Sequence, residues 1–394
     1  MIQTHDIDRA LAAVLGRCIE LRHTLHRIPE LLYQEHKTAA EIRRQLDDLH
    51  IPWTAGPANA PTATIALIGN PALRCVALRA DIDALPIEEQ TALPYRSTHA
   101  GAMHACGHDG HSAALVGAAG ILKSLEASLE VCVKLIWQPA EENGGGAQRL
   151  VEAGILDGRL GPRVSRIFAL HGWPAMPLGK IASRPGPILA AVDNFSATFH
   201  GKGAHGAFPH LARDPIIAAA EAVLDLQHIV SREINPLDSV VVTVGQIVGG
   251  TGVNIIPSEA TIMGTARTLT QQTRQYVQSA IARRLAGIAN ANEVRLELQW
   301  IDGYPPTIND PAMVDHAREA ISRVLGKDAF ILAGAPSMGG EDFAFYLEKV
   351  PGCFLFVGLS ANASPTSPGL HSSMFNFNDD ALPVAISLLV SLAT

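Results

Sequence analysis

The 394-residue sequence is poor in charged residues and contains no basic run. Charged residues make up 17% of the chain, hydrophobic residues make up 47%, and the net charge is −8. Without a basic segment, the chain lacks the charge pattern by which proteins bind nucleic acid, so we expect no nucleic-acid partner. The hydrophobic content excludes a disordered chain, and the length predicts two or three domains with a large core.

Cysteine is also scarce, since the chain has only five. An odd number at wide spacing excludes a disulfide framework and favours a reducing, cytoplasmic setting. The apolar C-terminal stretch, residues 381–393, is too short to span a bilayer and predicts a packed helix, so we expect no membrane partner. Charged residues interrupt the first apolar stretch of the chain, and we therefore expect no signal peptide.

Residues 103–111 are the densest group of potential metal ligands in the sequence. This segment contains three histidines, one cysteine and one aspartate, together with Gly107 and Gly110. Thiolate and imidazole bind zinc-like ions, and the glycines allow the backbone to turn so that neighbouring side chains converge. A solvated loop with locally hydrogen-bonded histidines is the alternative. The number of ligand-type side chains in so short a segment favours the metal site.

Polar residues also follow three predicted strands at the point where each strand ends. They are Asp81 and Asp83 after strand 74–79, Glu141 and Glu142 after strand 131–137, and His171 after strand 166–170. Ligand sites in open α/β sheets lie at this edge. A turn or helix cap is the alternative for the aspartates, and the first turn of a helix over 147–153 is the alternative for the glutamates. Adjacent carboxylates repel unless a cation holds them, which would leave one as a ligand and the other as a base.

Residues 187–303 differ in character from the rest of the chain. Their pattern predicts a βαββαβ unit, an α+β fold of ferredoxin-like type, inserted between prolines. The remaining residues, 1–186 and 304–394, then form one discontinuous α/β domain. His205 lies in a turn of the insert, where a lone histidine is more often a surface residue. Residues 337–343 predict a Gly-rich turn that opens a helix and presents N–H groups to an anion.

These features together resemble the metallopeptidase family of aminoacylases, carboxypeptidases and succinyl-diaminopimelate desuccinylases, in particular the branch of hippurate hydrolase and the indole-acetyl-amino-acid amidohydrolases. The resemblance extends over nearly the whole chain. The matching segments are Leu-His-Arg-Ile-Pro-Glu30, Arg-Ala-Asp-Ile-Asp-Ala-Leu-Pro86, His-Ala-Cys-Gly-His-Asp-Gly-His111, Gln-Pro-Ala-Glu-Glu142, His171, Gly-Lys-Gly-Ala-His205, Asn254-Ile-Ile-Pro257, Gly-Glu-Asp-Phe343 and Leu-His371.

The resemblance implies a zinc-peptidase-like catalytic domain that holds two divalent metal ions per subunit, and an inserted lid and dimerisation domain at 187–303. Zn, Mn, Co or Ni would suit the mixed ligands. The implied ligands are Cys106 as the bridge, His108 and His171 as one pair, and Glu142 and His371 as the other pair. The resemblance also implies a homodimer or a higher homo-oligomer.

Further roles are implied by matching positions. Glu141 matches the general base and Asp83 an acid that orients a ligand, whereas the role of Asp81 stays open because other branches have a metal-binding histidine there. His205 matches a catalytic histidine of the lid, and Asn254 and Arg267 match substrate-binding positions. We expect Arg267 and the N–H groups near Gly339 and Gly340 to hold the substrate carboxylate.

The expected activity is therefore metal-dependent hydrolysis of the amide bond of small N-acyl amino acids. A dipeptidase or carboxypeptidase is the alternative within the same chemistry. Two further alternatives stay open: a thiol nucleophile, Cys106 with His108 as its base, and a non-catalytic protein that binds metal or amino acids. The strand-end carboxylates and the distant histidines argue against the thiol nucleophile, because that mechanism would give them no role.

Overall fold

The computed structural model describes residues 4–361 and 368–394 of the chain. Two compact units are present. The first consists of Met1–Ile188, Ile308–Ala335 and Asp342–Thr394, and the second of Leu189–Thr307 and Pro336–Glu341. The inserted domain was predicted at 187–303. The second unit has similar bounds and also contains residues 336–341, which are part of the Gly-rich segment.

Ten α-helices are described. Their bounds are α1 Thr4–Arg27, α2 His36–Asp48, α3 His108–Ser124, α4 Glu141–Gly144, α5 Gly146–Ala153, α6 Pro215–Asp225, α7 Gln271–Ala291, α8 Pro311–Leu325, α9 Ala344–Leu347 and α10 Leu382–Ala393.

Sixteen strands are described, some following one another directly and others separated by helices. Their bounds are β1 Trp53–Ala55, β2 Thr64–Ile68, β3 Cys75–Asp81, β4 Cys132–Gln138, β5 Val164–Pro177, β6 Ile181–Ser183, β7 Gly186–Leu189, β8 Ala191–His200, β9 Ala204–His205, β10 Val240–Gly249, β11 Ile255–Ile256, β12 Glu259–Thr268, β13 Arg295–Asp302, β14 Thr307–Asn309, β15 Phe330–Leu332 and β16 Gly352–Ser360.

An eight-stranded mixed sheet forms the centre of the first unit, with strand order β1-β2-β4-β3-β5-β16-β6-β15. The central strands β4, β3, β5 and β16 are parallel to one another. Every residue of β3, β4 and β16 is buried, as expected for parallel strands covered on both faces. The carboxyl ends of these parallel strands therefore lie along one edge of the sheet, and this edge carries the candidate site.

Helix α3 packs closely against α1 and α10. Its sequence is rich in alanine and glycine, and nearly every residue is buried. At Gly117, an added Cβ would lie 2.7 Å from Ile386 Cδ1 and 2.8 Å from Cys18 Sγ, which is closer than real contacts allow. This packing fixes the position of α3, whose first residue is His108.

The second unit contains the predicted ferredoxin-like arrangement. Its antiparallel sheet has the strand order β10-β12-β8-β13, which corresponds to βαββαβ connectivity with the two helices α6 and α7. Phe195, Ala197 and Phe199 alternate along β8 on the buried face and pack with α6 and α7 residues in one core. The predicted fold class, an α/β domain with an inserted α+β domain, is confirmed.

Two local predictions were wrong. Strand β5 does not end before His171, because its parallel pairing with β16 continues through His171 and Trp173, so His171 lies within the strand. The Gly-rich segment 337–343 is followed by a helix as predicted, but this helix, α9, begins only at Ala344 and has four residues. Gly339 and Gly340 are therefore not at its N-terminus, so the prediction that they are the N–H groups of a helix start was wrong.

In the part of the chain that the structure describes, no helix combines the length and the apolar character that crossing a membrane requires.

The close packing of α3 leads to a test of stability. We expect Gly117→Ala to lower the free energy of unfolding by about 1–3 kcal/mol, because Cys18 and Ile386 are buried and must shift to admit the methyl group. The matched control is Gly120→Ala in the same helix, where the nearest atom to an added Cβ lies at 3.5 Å. That variant should be neutral or more stable by up to about 1 kcal/mol. Urea unfolding of both variants would contradict the prediction if the two changed equally.

Candidate metal centre

Five side chains in the first unit bring potential metal-ligating atoms together in two groups. The ligand atoms of Cys106, His108 and His171 lie within 4.8 Å of one another, and so do those of Cys106, Glu142 and His371. Cys106 belongs to both groups. Its Sγ lies 3.4 Å from His171 Nε2, and Glu142 Oε1 lies 3.0 Å from His371 Nε2. The arrangement can hold two cations that share one thiolate.

Asp83 sets the orientation of His108. The Nδ1–H of His108 donates to the main-chain carbonyl of Asp83 at 2.9 Å, so in the neutral ring Nε2 carries the lone pair. This Nε2 is buried and has no hydrogen-bond partner among the described residues. The Asp83 carboxylate accepts from the main-chain N–H of Glu142 at 2.9 Å. Asp83 therefore contacts one residue from each ligand group, which is the kind of outer contact that metal ligands require.

His171 is oriented in the same manner by its own neighbour. Its Nδ1–H donates to the carbonyl of Gly172 at 2.9 Å, which leaves Nε2 without a proton and directed at Cys106. The N–H of Gly172 donates to His111 Nε2 at 2.8 Å. Burial lowers the pKa of His171 well below its ordinary value, so the imidazole is neutral, as a metal ligand must be.

His111 and Asp81 form a hydrogen-bonded pair beside the two ligand groups. His111 uses both ring nitrogens, because its Nε2 accepts from Gly172 and its Nδ1–H donates to Asp81 Oδ1 at 2.7 Å. The other carboxylate oxygen of Asp81 accepts from Arg79 at 2.8 Å. Asp81 is thus connected through His111 to the residue that follows His171.

Glu141 and Glu142 begin the short element α4, but non-helical backbone angles at Glu142 and Asn143 make it a strained turn, and the regular helix α5 begins only at Gly146. Ala140 and Asn143, on either side of the pair, both have positive φ, a conformation that costs about 1–3 kcal/mol per residue outside glycine. The Ala140 N–H donates to the buried carboxylate of Glu35 at 3.0 Å. This turn directs the two adjacent carboxylates toward His108, and the ligand atoms of these three residues lie within 4.8 Å of one another.

His371 reaches the site from the other end of the chain. It has a φ of +63°, and its N–H donates to the carbonyl of Ala105 at 2.8 Å. The segment carrying His371 is therefore attached by its backbone next to Cys106. His371 is the exposed member of the group, whereas Cys106, His108 and His171 are buried.

The electrostatics of the site favour positive charge. Burial lowers the pKa of His108, but Asp81 and Asp83 outweigh this effect and raise it to about 10. Burial raises the pKa of the Cys106 thiol well above its ordinary value, and Glu142 and Glu141 raise it further. A thiolate forms in such surroundings only when cations accompany it. The surplus of carboxylates, and a His108 Nε2 that makes no hydrogen bond among the described residues, fit a pair of divalent ions.

Several contributing residues were not assigned a role from the sequence. Four of them are buried polar residues beneath the site, namely Glu35, Arg79, Gln138 and Asp342. The fifth is His111, which the sequence presents only as one of several histidines in segment 103–111. A charged residue inside the apolar strand 74–79 could have indicated Arg79. Nothing in the sequence indicates that Glu35 contacts Ala140, because this contact joins distant segments.

The remaining candidate residues belong to the second unit. His205 pairs with Ile255 between β9 and β11, and it lines a cleft of about 830 Å³ together with Asn254. Arg267 lies on β12, where its guanidinium donates to the Ala266 carbonyl at 3.3 Å. The N–H of Gly339 donates to Ser337 Oγ at 3.1 Å, and the expectation that the N–H groups near Gly339 and Gly340 hold a carboxylate stays a prediction.

Comparison with known proteins identifies relatives over most of the chain. An N-acetyl-L-cysteine deacetylase of Bacillus subtilis (strain 168) is 42% identical, over 88% of this chain and 82% of that protein. The IAA-amino acid hydrolase ILR1-like 4 of Arabidopsis thaliana is 39% identical, over 95% of this chain and 84% of that protein. A solved Bacillus subtilis structure described as a dinuclear metal binding peptidase from M20 family is 38% identical with a TM-score of 0.84, and the match covers 97% of this chain and 98% of that one.

The family assignment agrees with these likenesses. Residues 77–394 match the sequence profile of peptidase family M20/M25/M40, and this range contains every candidate metal ligand. The resemblance stated from the sequence motifs is thereby confirmed, and the chain belongs to peptidase family M20/M25/M40.

Proposed function

We propose that this protein is a metal-dependent amidohydrolase that cleaves the amide bond of N-acyl amino acids, with Glu141 as general base. The observation that carries the proposal is a pair of ligand groups that share Cys106, with Glu141 buried beside them. One relative is named as a deacetylase of an N-acetyl amino acid and another as a hydrolase of an IAA-amino acid. These names support the substrate class.

Two divalent cations would be held by Cys106, His108, Glu142, His171 and His371. When bound, they supply Lewis acidity, which lowers the pKa of water and polarises the substrate carbonyl. Zn, Mn, Co and Ni all suit the mixed thiolate, imidazole and carboxylate donors. Asp83 keeps His108 in the tautomer that such an ion requires.

Glu141 performs the proton transfers in this proposal. It accepts the proton of the attacking water and then passes this proton to the leaving amine. The main-chain N–H of Asp342 donates to Glu141 Oε1 at 3.4 Å, which keeps that carboxylate oriented. On the basis of the family resemblance, we propose His205 as a donor to the oxyanion, and Asn254 and Arg267 as residues that bind the substrate.

The surroundings of Cys106 weigh against a thiol nucleophile. A catalytic thiolate needs a low pKa and a nearby imidazolium, but here burial and two glutamates raise the thiol pKa. His108, the base of that alternative, does have a raised pKa, but its Nδ1–H is bonded to the Asp83 carbonyl and the thiol pKa is still well above its ordinary value. The imidazole that contacts Sγ is that of His171, and burial keeps it neutral. All five cysteines are unpaired, which supports a reducing, cytoplasmic location as part of the proposal.

The proposal predicts that activity follows the metal content. The full chain should hydrolyse members of a panel of N-acetyl, N-benzoyl and N-indole-acetyl amino acids, lose activity when stripped with a chelator, and regain it with Zn²⁺, Mn²⁺, Co²⁺ or Ni²⁺. Dipeptides in the same panel test for a dipeptidase. Activity that persists after verified metal removal would favour the thiol nucleophile, and binding without turnover would favour a binding protein.

The variant Glu141→Gln tests in the same assay whether Glu141 is the general base. We expect kcat to fall by about 10²–10⁴-fold, because the proton acceptor is lost, while metal content stays the same. Glu142→Gln provides the comparison and should lower metal content. Equal loss of metal from both variants would show that Glu141 is a ligand, and the assignment of the base would then be wrong.

The aromatic residues beside His171 indicate which acyl groups fit. Trp173 lies two residues after His171 on β5, and its ring is 6.3 Å from the His171 ring in an edge-on arrangement. The Trp173 ring also packs on Phe356, with centroids 4.3 Å apart. Trp173 is partly exposed, so it can contact a ligand at the metal centre. We propose that it contacts an aryl or other apolar acyl group.

This assignment predicts a change in substrate preference. Trp173→Ala should lower kcat/KM for an N-benzoyl amino acid by about 10–100-fold, which corresponds to the loss of one aromatic contact, and should change the N-acetyl value far less. The ratio of the two values is the measurement, because a general loss of folded enzyme cancels in it. Trp53→Ala, on the strand β1 at the far edge of the sheet, serves as the control and should leave the ratio unchanged.

We also propose that the protein forms a homodimer through its second unit. Strand β10 is an edge strand of the four-stranded sheet, and Ile247 and Val248 on it are more than half exposed. Ile217 and Leu224 on the neighbouring helix α6 are 50% and 71% exposed. An open strand edge next to exposed apolar side chains suits pairing with a second copy of this chain.

Sedimentation analysis of the full chain should give the mass of a dimer. Ile247→Lys should shift it toward the monomer, because a charge on the edge strand opposes pairing. Leu332→Lys is the matched control, since Leu332 is an exposed leucine on the edge strand β15 of the first unit. A monomeric wild-type chain, or dissociation by the control variant alone, would contradict the proposed interface.

A further inference from the structure

Arg79 is a fully buried cation beneath the candidate metal centre. It is 2% exposed and lies on β3, two residues before Asp81. Its guanidinium uses each of its three nitrogens for a different partner: Nε donates to Gln138 Oε1 at 2.9 Å, Nη1 to Asp81 Oδ2 at 2.8 Å, and Nη2 to Asp342 Oδ1 at 3.0 Å. These partners come from three separate segments of the first unit.

The first connection leads to the ligands. Asp81 accepts from His111, and His111 accepts from the N–H of Gly172 directly after His171. The distances along this path are 2.7 Å and 2.8 Å. A shift of Arg79 would therefore move Asp81 and His111, and with them the strand segment that carries His171.

The second connection leads to the proposed base. The Asp342 carboxylate also accepts from Gln138 Nε2 at 2.8 Å and from the Ala147 N–H at 2.9 Å. The main-chain N–H of the same residue donates to Glu141 Oε1. Gln138 is the last residue of β4 and lies three residues before Glu141. The turn carrying Glu141 is thus attached to Arg79 through Asp342 and Gln138.

We propose that Arg79 is a positioning residue that fixes the distance between the metal ligands and the general base. One planar guanidinium contacts both Asp81, which leads to His171, and Asp342, which leads to Glu141. It therefore fixes the positions of His171 and Glu141 relative to each other. The proposal deepens and rests on the proposed function, in which Glu141 acts on a water held near His171. Arg79 is buried and its guanidinium nitrogens are bonded to protein side chains, so it cannot contact substrate. Its effect on the reaction is therefore indirect.

Lysine cannot replace arginine in this role. An ammonium group keeps the charge but is a point donor, whereas the guanidinium presents its donors in a fixed plane that matches partners on three segments. Arg79→Lys thus retains a buried cation between Asp81 and Asp342 but loses the fixed spacing. Asp342→Asn is the complementary variant, because it keeps the shape of the side chain and weakens the same connection.

The test combines turnover with a metal spectrum. In Arg79→Lys we expect kcat to fall about 10–100-fold with KM within about twofold, as for outer residues that orient metal ligands. In the Co²⁺-loaded protein, the thiolate-to-cobalt and d–d absorption bands should change in position or intensity, because His171 and Cys106 shift. Asp342→Asn should lower kcat similarly, and the double variant should lose little more than the greater single loss.

Arg43→Lys is the matched control. Arg43 also donates through its guanidinium to three acceptors of the first unit, which are Thr64 Oγ1 and the carbonyls of Pro61 and Ala63. That variant should keep kcat and the Co²⁺ spectrum even if it unfolds at a lower temperature. A purely structural role for Arg79 would show the same result, namely a lower Tm with an unchanged kcat per folded enzyme and an unchanged spectrum.

Three outcomes would overturn the inference. The first is an unchanged kcat and spectrum in Arg79→Lys, the second is full additivity of the two variants, and the third is failure of both variants to fold, which would assign the network to stability. If the wild-type chain hydrolysed no N-acyl amino acid, the proposed function would fail. The Co²⁺ affinity and spectra would still decide whether Arg79 positions the ligands.

Discussion

The concentration of buried carboxylates at one edge of the large sheet is the constraint on which the site depends. Asp81, Asp83 and Glu141 are almost fully buried there, and Glu142 lies beside them. Buried negative charges are tolerated only when positive charge or donors compensate them. Arg79 and main-chain N–H groups compensate some of them from below, and the side next to Cys106 and His108 favours cations. The fold thus creates a site whose charge and ligand atoms suit metal ions.

The backbone around the site is held in conformations that isolated segments would avoid. Ala140, Asn143 and His371 all have positive φ, and each lies next to or at a group of the candidate centre. Such strain persists only where surrounding contacts determine the conformation. Here those contacts come from the Glu35 carboxylate and the Ala105 carbonyl, which belong to distant segments. The shape of the site therefore depends on contacts between distant segments of the chain.

Asp81 and His111 illustrate how ligand-type residues can serve as supports. Both lie close to His108 and could be mistaken for ligands by distance alone. The neutral ring of His111 has no lone pair left, since Nε2 accepts from Gly172, and each carboxylate oxygen of Asp81 already accepts one hydrogen bond. The ring tautomers of His108 and His171 follow from carbonyl acceptors and leave Nε2 available in both neutral rings. The hydrogen bonds therefore distinguish His111 from the other two histidines, where residue type and distance do not.

The sequence alone determined the fold class, the family and the ligand-type residues, because hydrophobic periodicity and short motifs such as 103–111 are local properties of the chain. It did not determine that β5 runs through His171, since that depends on pairing with β16. It also did not show the connection of Arg79 to Asp342 or of Glu35 to Ala140. Those contacts join residues more than 100 positions apart, and only the folded packing of the sheet edge brings such residues within hydrogen-bonding distance.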